Sequence, residues 1–279
     1  MSVTLRTARL DHIALKSEAP EALAEFHGRV LRMTVEPDQR TGDFVLRGPQ
    51  RRLVITRGTG HHLAYAAFGI AVREELEALK RQVESRGISL EPSPSPLFGE
   101  EAFSVTDPDG NRMVFGLRQA EDLEGSDLPG RIQHVVCATT DIAPIQAFYT
   151  EGLGFRLSDA VVDEEGGDRA VFLRSDSEHH SFAVFKAPSC RLDHHCYEAG
   201  DWMAIRDWGD HMAAEHVRLQ WGPGRHGPGN NLFFMIHDPD GNWVEISAEL
   251  DVVPDDKPMG VWTHSERTLN TWGQAFLRS

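Results

Sequence analysis

Short apolar runs separated by polar turns dominate the chain, and they predict β-strands rather than long helices. The first such run covers residues 11–15. Beyond it, apolar positions recur with helical spacing over 22–30, with Ser17 as a candidate N-cap and Pro20 in the first turn. The opening of the chain therefore predicts a strand followed by a helix.

The same order returns in the second half. A strand-like run at 132–138 precedes Asp141, a candidate N-cap, and a helical pattern that reaches about Glu151 and stops at Gly152. In both halves, several strand-like runs follow, with one more amphipathic helical segment among them. Each half therefore has the pattern strand, helix and then three or more strands.

A five-residue sequence, Asp-Pro-Asp-Gly-Asn, occurs at 107–111 and again at 238–242. Pro sets φ for the second turn position and Gly or Asn tolerates the positive φ that follows, so both copies are predicted to be structural turns. The surroundings repeat as well, because His12 and His134 each stand in the first strand-like run of a half and are followed by Phe fourteen positions later. The chain is therefore an internal repeat of one supersecondary unit.

This repeat predicts an α+β fold of paired βαβββ modules, one per domain. Residues 1–120 are the predicted N-terminal domain. Residues 129–250 are the predicted C-terminal domain, joined to the first by a linker at 118–130. Residues 251–279 depart from the repeat and are predicted to pack near the active site as a tail.

Composition and charge narrow the classes of function. The 279 residues suffice for roughly two domains that each bury a core. A net charge of −15 argues against non-specific binding to nucleic acid or to an anionic membrane surface. No apolar run approaches the roughly 20 residues of a membrane span, and the N-terminus has no apolar core typical of a secretion signal. Cys137, Cys190 and Cys196 lack metal-type spacing, which predicts reduced thiols in a cytoplasmic protein.

The two halves differ at one chemically important position. Seven residues after the start of the repeated turn, the second half has Glu245 where the first half has Val114. His134 and His194 also lie in strand-like runs of the second half. Two imidazoles and one carboxylate form the facial triad of non-heme Fe(II) oxygenases, which leaves coordination positions open for a substrate and O2. The second half is therefore the predicted metal-binding half.

Fourteen histidines make chance pairs frequent, so the other candidates have competing interpretations. His12, His61 and His62 match ligand positions in the first half, but the carboxylate is missing there, which favours structural or surface roles. His211 and His216 are predicted to be surface residues of a helix.

A one-residue slip in strand register would exchange His194 for His195 and His180 for His179. His194 is preferred because the tetrapeptide Arg-Leu-Asp-His that it completes also occurs at 9–12.

The double module resembles the vicinal oxygen chelate superfamily, and specifically the two-domain type I extradiol ring-cleaving dioxygenases. The resemblance covers roughly residues 5–250. It implies that the modules form two incomplete mixed-sheet barrels, one per domain, of which 1–120 is structural and has no metal and 129–250 is metal-binding and catalytic. Its most specific stretch is Gly-Pro-Gly-Arg-His-Gly at 222–227, which leads into the second repeated turn and Val-Glu-Ile at 244–246. Such enzymes keep iron in the C-terminal module and have lost the ligands of the N-terminal one.

Carried over by position, the resemblance implies a complete site. His134, His194 and Glu245 would hold Fe(II), which Mn(II) could replace because both accept nitrogen and oxygen ligands. His180 would be the catalytic acid/base residue, and His226 would hydrogen-bond a substrate oxygen. A side chain whose pKa lies near neutrality suits the proton transfers that a catechol requires.

Two departures from the family pattern bear on the substrate. Met235 stands ten positions before Glu245, where members usually carry a tyrosine, and it cannot donate a hydrogen bond. Trp221 occupies the stretch where some relatives place an arginine for an anionic substituent. Together with Phe172 and Phe182, these residues are the predicted substrate-binding set and favour an apolar or aromatic ring substituent.

The predicted function is Fe(II)-dependent insertion of O2 with ring cleavage of a catechol-type aromatic diol, in aromatic compound degradation. The predicted partners are this small-molecule substrate and O2, and the resemblance implies a homo-oligomer. Two alternatives use the same scaffold: a non-catalytic ligand-binding or resistance-type protein, and another metalloenzyme such as an isomerase or lyase. The triad with His180 and His226 argues against the first, and Val114 argues against the second because such enzymes take carboxylate ligands from both modules.

Overall fold

The computed structural model describes residues 3–59, 62–118 and 128–276, which form two mixed β-sheets with flanking helices. None of the helices in these ranges is long and apolar enough to cross a membrane. The elements of the first half are β1 (Arg9–Ser17), α1 (Pro20–Val30), β2 (Thr34–Pro37), β3 (Phe44–Gly48), β4 (Arg51–Arg57), β5 (His62–Ile70), α2 (Arg73–Ser85), β6 (Glu91–Pro92), β7 (Phe103–Thr106) and β8 (Arg112–Leu117). Those of the second half are β9 (Arg131–Thr139), α3 (Ile142–Ala147), a π-helical turn (Phe148–Gly152), β10 (Arg156–Val162), β11 (Asp168–Arg174), β12 (Phe182–Lys186), β13 (Arg191–Glu198), α4 (Trp202–Ala214), β14 (Trp221–Arg225), β15 (Leu232–His237), β16 (Trp243–Ala248), β17 (Gly260–Thr263) and α5 (Glu266–Leu269).

The two sheets have equivalent strand orders. The first is β2-β3-β4-β1-β5-β8-β7-β6, and the second is β17-β10-β11-β12-β9-β13-β16-β15-β14. Apart from β17, each strand of the second sheet occupies the place of its counterpart in the first, with β9 replacing β1 and β16 replacing β8. The predicted α+β fold of paired modules with mixed sheets is confirmed.

The second sheet is curved around a cavity. Val161 of β10 and Met235 of β15 line the same cavity, although six strand spacings separate them in the sheet order. In a flat sheet that separation would be about 29 Å. The sheet therefore bends into an incomplete barrel, and the inward-facing residues of β9, β13 and β16 form its floor.

The ends of the first helices differ in how well the sequence predicted them. Asp141 caps α3 as predicted, with its side chain accepting a hydrogen bond from the Ala143 N–H at 3.3 Å. The prediction of Ser17 as the cap of α1 is wrong. β1 extends through Ser17, whose hydroxyl accepts from the Ala19 N–H at 3.1 Å, and Ala19 takes the N-cap position before Pro20.

Each of the two repeated turns makes a side-chain contact with the other half of the chain. In each turn, one oxygen of the leading aspartate accepts hydrogen bonds from two N–H groups inside the turn. The second oxygen reaches the opposite half. The Tyr149 hydroxyl donates to Asp107 Oδ2 at 3.1 Å, and His27 Nε2 lies 3.3 Å from Asp238 Oδ2. Tyr149 and His27 occupy equivalent positions in the repeat, so this contact is duplicated with the modules.

The structure tests the surface or structural positions that the sequence predicts for His62, His211 and His216. His216 and His62 are exposed, while His61 lies outside the described residues. The prediction that His211 is a surface residue is wrong, because it is buried and its Nε2–H donates to the Val30 carbonyl at 2.9 Å. That bond ties α4 of the second half to the end of α1 in the first.

The tail adds one strand to the second sheet. β17 pairs in parallel with β10, with Trp262 opposite Val161, and α5 follows it. Residues 119–127 of the predicted linker and 277–279 of the tail lie outside the described residues.

Candidate metal centre

Three predicted ligands meet at the floor of the second sheet. The Nε2 atoms of His134 and His194 are 3.3 Å apart, and Oε2 of Glu245 lies 3.7 Å from the first and 3.2 Å from the second. All three side chains are almost fully buried. They come together because β9, β13 and β16 are neighbours, and Cys196 of β13 lies in register with both His134 and Glu245.

Cys196 forms part of this floor, which the sequence reasoning missed. Its Sγ and the donor atoms of His134 and Glu245 all lie within 4.8 Å of one another. Burial raises the pKa of this thiol well above its usual value, so the neutral thiol is favoured over the thiolate that binds metals. His194 is the better third donor because its Nε2 lone pair lies 3.3 Å from Nε2 of His134 and 3.2 Å from Oε2 of Glu245. The sequence did contain a sign of this position: Cys196 lies two residues after His194 in the same strand and therefore on the same face.

Hydrogen bonds on the far side of each imidazole determine which nitrogen faces the site. His134 Nδ1–H donates to the amide oxygen of Gln133, whose NH2 group donates to the His180 carbonyl at 2.7 Å. His194 Nδ1–H donates to Asp193 Oδ1 at 2.7 Å. Both rings therefore carry hydrogen on Nδ1 and direct the Nε2 lone pair into the site, the arrangement typical of metal-bound histidine.

This geometry fits a divalent cation. Two lone pairs facing each other at 3.3 Å beside a carboxylate oxygen repel unless a positive charge lies between them. Donor atoms about 2.1 Å from a metal and at right angles to each other are about 3 Å apart, close to the separations seen here. Asn231 donates to Oε1 of Glu245 at 3.1 Å, and Oε2 is the oxygen near the imidazoles. The residues present fit Fe(II) in a site with two histidines and one carboxylate.

The pKa shifts of Glu245 and His194 also favour a cation at this site. Burial opposes the ionisation of Glu245, but the adjacent imidazoles of His134 and His194 outweigh it and hold the pKa of the carboxyl well below its usual value. For His194, burial lowers the pKa, but the contacts with Asp193 and Glu245 outweigh burial and raise it. The lowered pKa of Glu245 and the raised pKa of His194 both indicate that the site favours a positive charge between the imidazoles and the carboxylate.

His180 lies beside the triad and lines the cavity. Its ring centroid is 4.4 Å from that of His134 and 5.1 Å from that of Phe172. Burial, followed by the neighbouring His134 and His179, holds the pKa of His180 well below its usual range. The side chain is therefore a neutral base within reach of a ligand bound at the triad.

His226 also lines the cavity; it follows β14 at one edge of the sheet, whereas His180 precedes β12 on the other side of the triad strands. Its ring stacks on Phe233 with a centroid separation of 3.8 Å, and its Nδ1–H donates to the Leu269 carbonyl. Nε2 lies 3.9 Å from Oε1 of Glu245. The tail residue Leu269 thus orients a histidine that the sequence predicted to contact substrate.

The cavity above the triad is largely apolar. Phe172, Trp221 and Met235 line it, where the sequence placed substrate-binding residues. Phe182 does not, and its prediction is corrected. Side chains alternate along β12, so Phe182 points away from the cavity and stacks on Tyr149 with centroids 4.1 Å apart.

The outer part of the cavity contains residues that the sequence reasoning did not identify. Arg169 and Arg191 line it, and the tail contributes His264, Leu269 and Phe276. No local motif marks these positions, because they reach the cavity only through the curvature of the sheet and the return of the tail.

Several known proteins are similar to this chain in sequence. Residues 131–246 match the family model of the Glyoxalase/Bleomycin resistance protein/Dioxygenase superfamily. The chain is 28% identical over 242 residues to Metapyrocatechase 2 of Cupriavidus necator, covering 77% of this chain and 73% of that protein. It is 24% identical over 256 residues to an iron-dependent extradiol dioxygenase of Rhodococcus jostii (strain RHA1), covering 81% and 82%.

The fold of the whole chain is found in a solved dioxygenase. A substrate complex of homoprotocatechuate 2,3-dioxygenase from Brevibacterium fuscum, with 3,4-dihydroxyphenylacetate, superposes with a TM-score of 0.83 at 24% identity. The match covers 99% of this chain and 91% of that chain. Residues 131–246 thus form a domain of the Glyoxalase/Bleomycin resistance protein/Dioxygenase superfamily, and the whole chain has the two-domain fold of this solved extradiol dioxygenase.

Proposed function

We propose that this chain is an Fe(II)-dependent extradiol dioxygenase that cleaves the ring of a catechol-type diol beside the diol and incorporates both atoms of O2. The observation that carries the proposal is the convergence of two imidazole lone pairs and one carboxylate, from His134, His194 and Glu245, at the base of a buried cavity. Bound iron would supply the template and the electron path between diol and O2. Fe(II) is favoured over Mn(II) because affinity at a given site rises from manganese to iron.

The side chains around the triad supply orientation and proton transfer. His180 is neutral and buried, and it takes the proton that a diol hydroxyl must lose. Because His226 donates from Nδ1 to Leu269, its Nε2 can accept a hydrogen bond from the second hydroxyl. The two histidines lie on opposite sides of the triad strands, so a planar diol is held between them.

The cavity walls favour a neutral, apolar ring substituent. Phe172 and Trp221 line the space beside the triad. Neither side chain offers a charge to an anionic substituent. Catechols with methyl or phenyl substituents are therefore the proposed substrate class.

The decisive experiment begins with purification without oxygen and reconstitution with Fe(II). We expect about one iron per chain, and O2 uptake with a yellow product on addition of catechol, 3-methylcatechol or 2,3-dihydroxybiphenyl. 3,4-Dihydroxyphenylacetate should react with a higher KM because Phe172 and Trp221 offer its carboxylate no charge to pair with. Iron below about a tenth per chain would refute the proposed metal site. Full iron without uptake on a broad panel of diols would refute the proposed activity and favour a binding protein.

A matched pair of variants links the metal to the triad. Glu245→Ala should abolish iron binding because it removes the only carboxylate of the donor set. Glu164→Ala, at an exposed hairpin tip of the same module, should bind iron as the wild type does. Iron retained by Glu245→Ala would show that the metal lies elsewhere.

A further inference from the structure

A second histidine adjoins His180 on the side away from the triad. His179 is buried, and its Nδ1 lies 3.0 Å from Nδ1 of His180. Its other nitrogen, Nε2, lies 3.1 Å from Oδ2 of Asp159, an ion-pair distance that is off the ideal hydrogen-bond direction. Asp159, His179 and His180 thus form a continuous series that ends at the cavity.

The tail strand holds Asp159 in place. The Trp262 indole N–H donates to Oδ2 at 2.6 Å, and the Gly260 N–H donates to Oδ1 at 3.2 Å. Burial opposes ionisation of Asp159, but the contacts with His179 and Trp262 outweigh it, and the pKa of the carboxyl lies below its usual value. Asp159 is therefore a carboxylate at neutral pH, and each of its partners must be a donor.

The Asp159 carboxylate determines which nitrogens of His179 and His180 donate and which accept. Facing a carboxylate, Nε2 of His179 carries hydrogen, so the neutral ring has its lone pair on Nδ1. Two Nδ1 atoms at 3.0 Å need one hydrogen between them, and it must therefore belong to His180. A neutral His180 that donates from Nδ1 has its lone pair on Nε2.

We propose that Asp159 and His179 are positioning residues that fix His180 in the Nδ1–H tautomer, so that a bare Nε2 is offered to the diol. The tautomer follows from the contacts alone, whereas its chemical use rests on the proposed function. In that use, the diol O–H bond breaks, an N–H bond forms at Nε2, and the electron pair stays on oxygen. The imidazolium that forms keeps its Nδ1–H bond to His179, and the carboxylate of Asp159 stabilises its charge.

Without the series, the opposite tautomer is expected. A free neutral imidazole prefers hydrogen on Nε2, and a ring in that form has no lone pair for a diol hydroxyl at that nitrogen. The two upstream residues therefore decide whether His180 is ready as a base. β17 takes part because it supplies both donors that hold Asp159.

The test is nitrogen NMR of the metal-free, full-length chain labelled with 15N-histidine, since protonated and bare ring nitrogens have well-separated shifts. His180→Phe identifies the His180 signals by their loss. We expect a protonated Nδ1 and a bare Nε2 in the wild type. A hydrogen on Nε2 of His180 in the wild type would overturn the proposal.

Paired substitutions test the assignment of roles. Asp159→Leu removes the acceptor, and the Nε2–H form of His180 should appear. Asp159→Asn keeps an oxygen at the Trp262 indole and should retain the wild-type tautomer. His179→Phe removes the acceptor of the His180 Nδ1–H bond and should also release the Nε2–H form, which makes it a second route if Asp159→Leu does not fold. An unchanged His180 tautomer in a folded Asp159→Leu or His179→Phe variant would refute the proposal.

Kinetics of the iron-loaded enzyme give an independent readout. Asp159→Leu and His179→Phe should lower kcat about ten- to a hundred-fold at unchanged iron content, while Asp159→Asn, which keeps the tautomer and loses only the negative charge, should lower kcat less than Asp159→Leu does. The NMR result separates this proposal from the proposed function. A wild type with the expected tautomer but no O2 uptake refutes only the function, and uptake with hydrogen on Nε2 refutes only the tautomer assignment.

Discussion

Replacing Asp193 by Asn should weaken iron binding while leaving the fold intact. The carboxylate of Asp193 accepts the Nδ1–H of His194 at 2.7 Å, and both side chains are about 5% exposed. Asn has the same shape and still offers an oxygen to that N–H, so the ring orientation is kept. What is lost is the negative charge that makes the imidazole a stronger ligand, which is the charge that outweighs burial in raising the pKa of His194.

The size of the effect follows from the burial of this pair. Loss of such a partner behind a metal-bound histidine typically costs about 10- to 100-fold in metal affinity, or about 1.4–2.7 kcal/mol. The upper part of that range is expected for Asp193, because solvent and salt screen a nearly buried charge only weakly. The dissociation constant for Fe(II) should therefore rise by roughly 30- to 100-fold.

The assay is an anaerobic competition titration against a chromophoric iron chelator. Asp11→Asn is the matched control, because Asp11 makes the same contact with His12 at 2.6 Å in the module that has Val114 in place of the carboxylate ligand. Its iron affinity should equal that of the wild type. An affinity of Asp193→Asn within about twofold of the wild type, or an equal loss in Asp11→Asn, would refute the reasoning.

Four further outcomes are expected. His180→Phe should retain one iron per chain and lower kcat about 10²- to 10⁴-fold in O2 uptake, and unchanged turnover would show that another residue is the base. Met235→Tyr should raise kcat by adding a hydrogen-bond donor beside Glu245, whereas an unchanged kcat would show that this donor does not limit the rate. In Asp238, burial opposes ionisation but His27 outweighs it and lowers the folded-state pKa. Its stabilisation is therefore present above about pH 4 and lost as the pH falls through the lower folded value, so the urea unfolding free energies of wild type and Asp238→Asn should converge in acid. Truncation after Leu250 should lower kcat and raise KM because it removes the tail contacts to the site, and intact kinetics would refute a role for the tail.

The sequence was sufficient to predict the paired modules and to select the residues that meet at the metal centre. The reason is that strand pairing is regular. Neighbouring strands β9, β13 and β16 place His134 and Glu245 at one level of the sheet, and His194 lies two residues along β13 from that level on the same face. The assignment of roles to these residues remains a proposal, supported by their mutual distances and by the partners of their Nδ1 atoms.

Two kinds of feature could not be predicted from the sequence. One is the face of a strand on which a given residue lies, and the other is a contact between residues far apart along the chain. Phe182 was placed in the cavity, but it is one residue out of phase with the inward-facing Ala183 and lies on the opposite face. His179, which a register slip would have exchanged for His180, lies outside the cavity, yet it contacts His180 directly. The contact of Trp262 with Asp159 joins residues about a hundred positions apart, and no local pattern announces such a bond.

A comparison of the two modules shows why a retained histidine does not by itself mark a metal site. His12 occupies in β1 the place that His134 occupies in β9, and it has an equivalent bond at Nδ1, to Asp11. Its Nε2, however, lies 2.7 Å from the Ser95 hydroxyl, which comes from the Pro- and Ser-rich loop before β7. That nitrogen is therefore satisfied by protein, whereas Nε2 of His134 faces a second imidazole and a carboxylate oxygen. The partner of Nε2, rather than the residue type, distinguishes a histidine that stabilises the fold from one that is prepared to bind a cation.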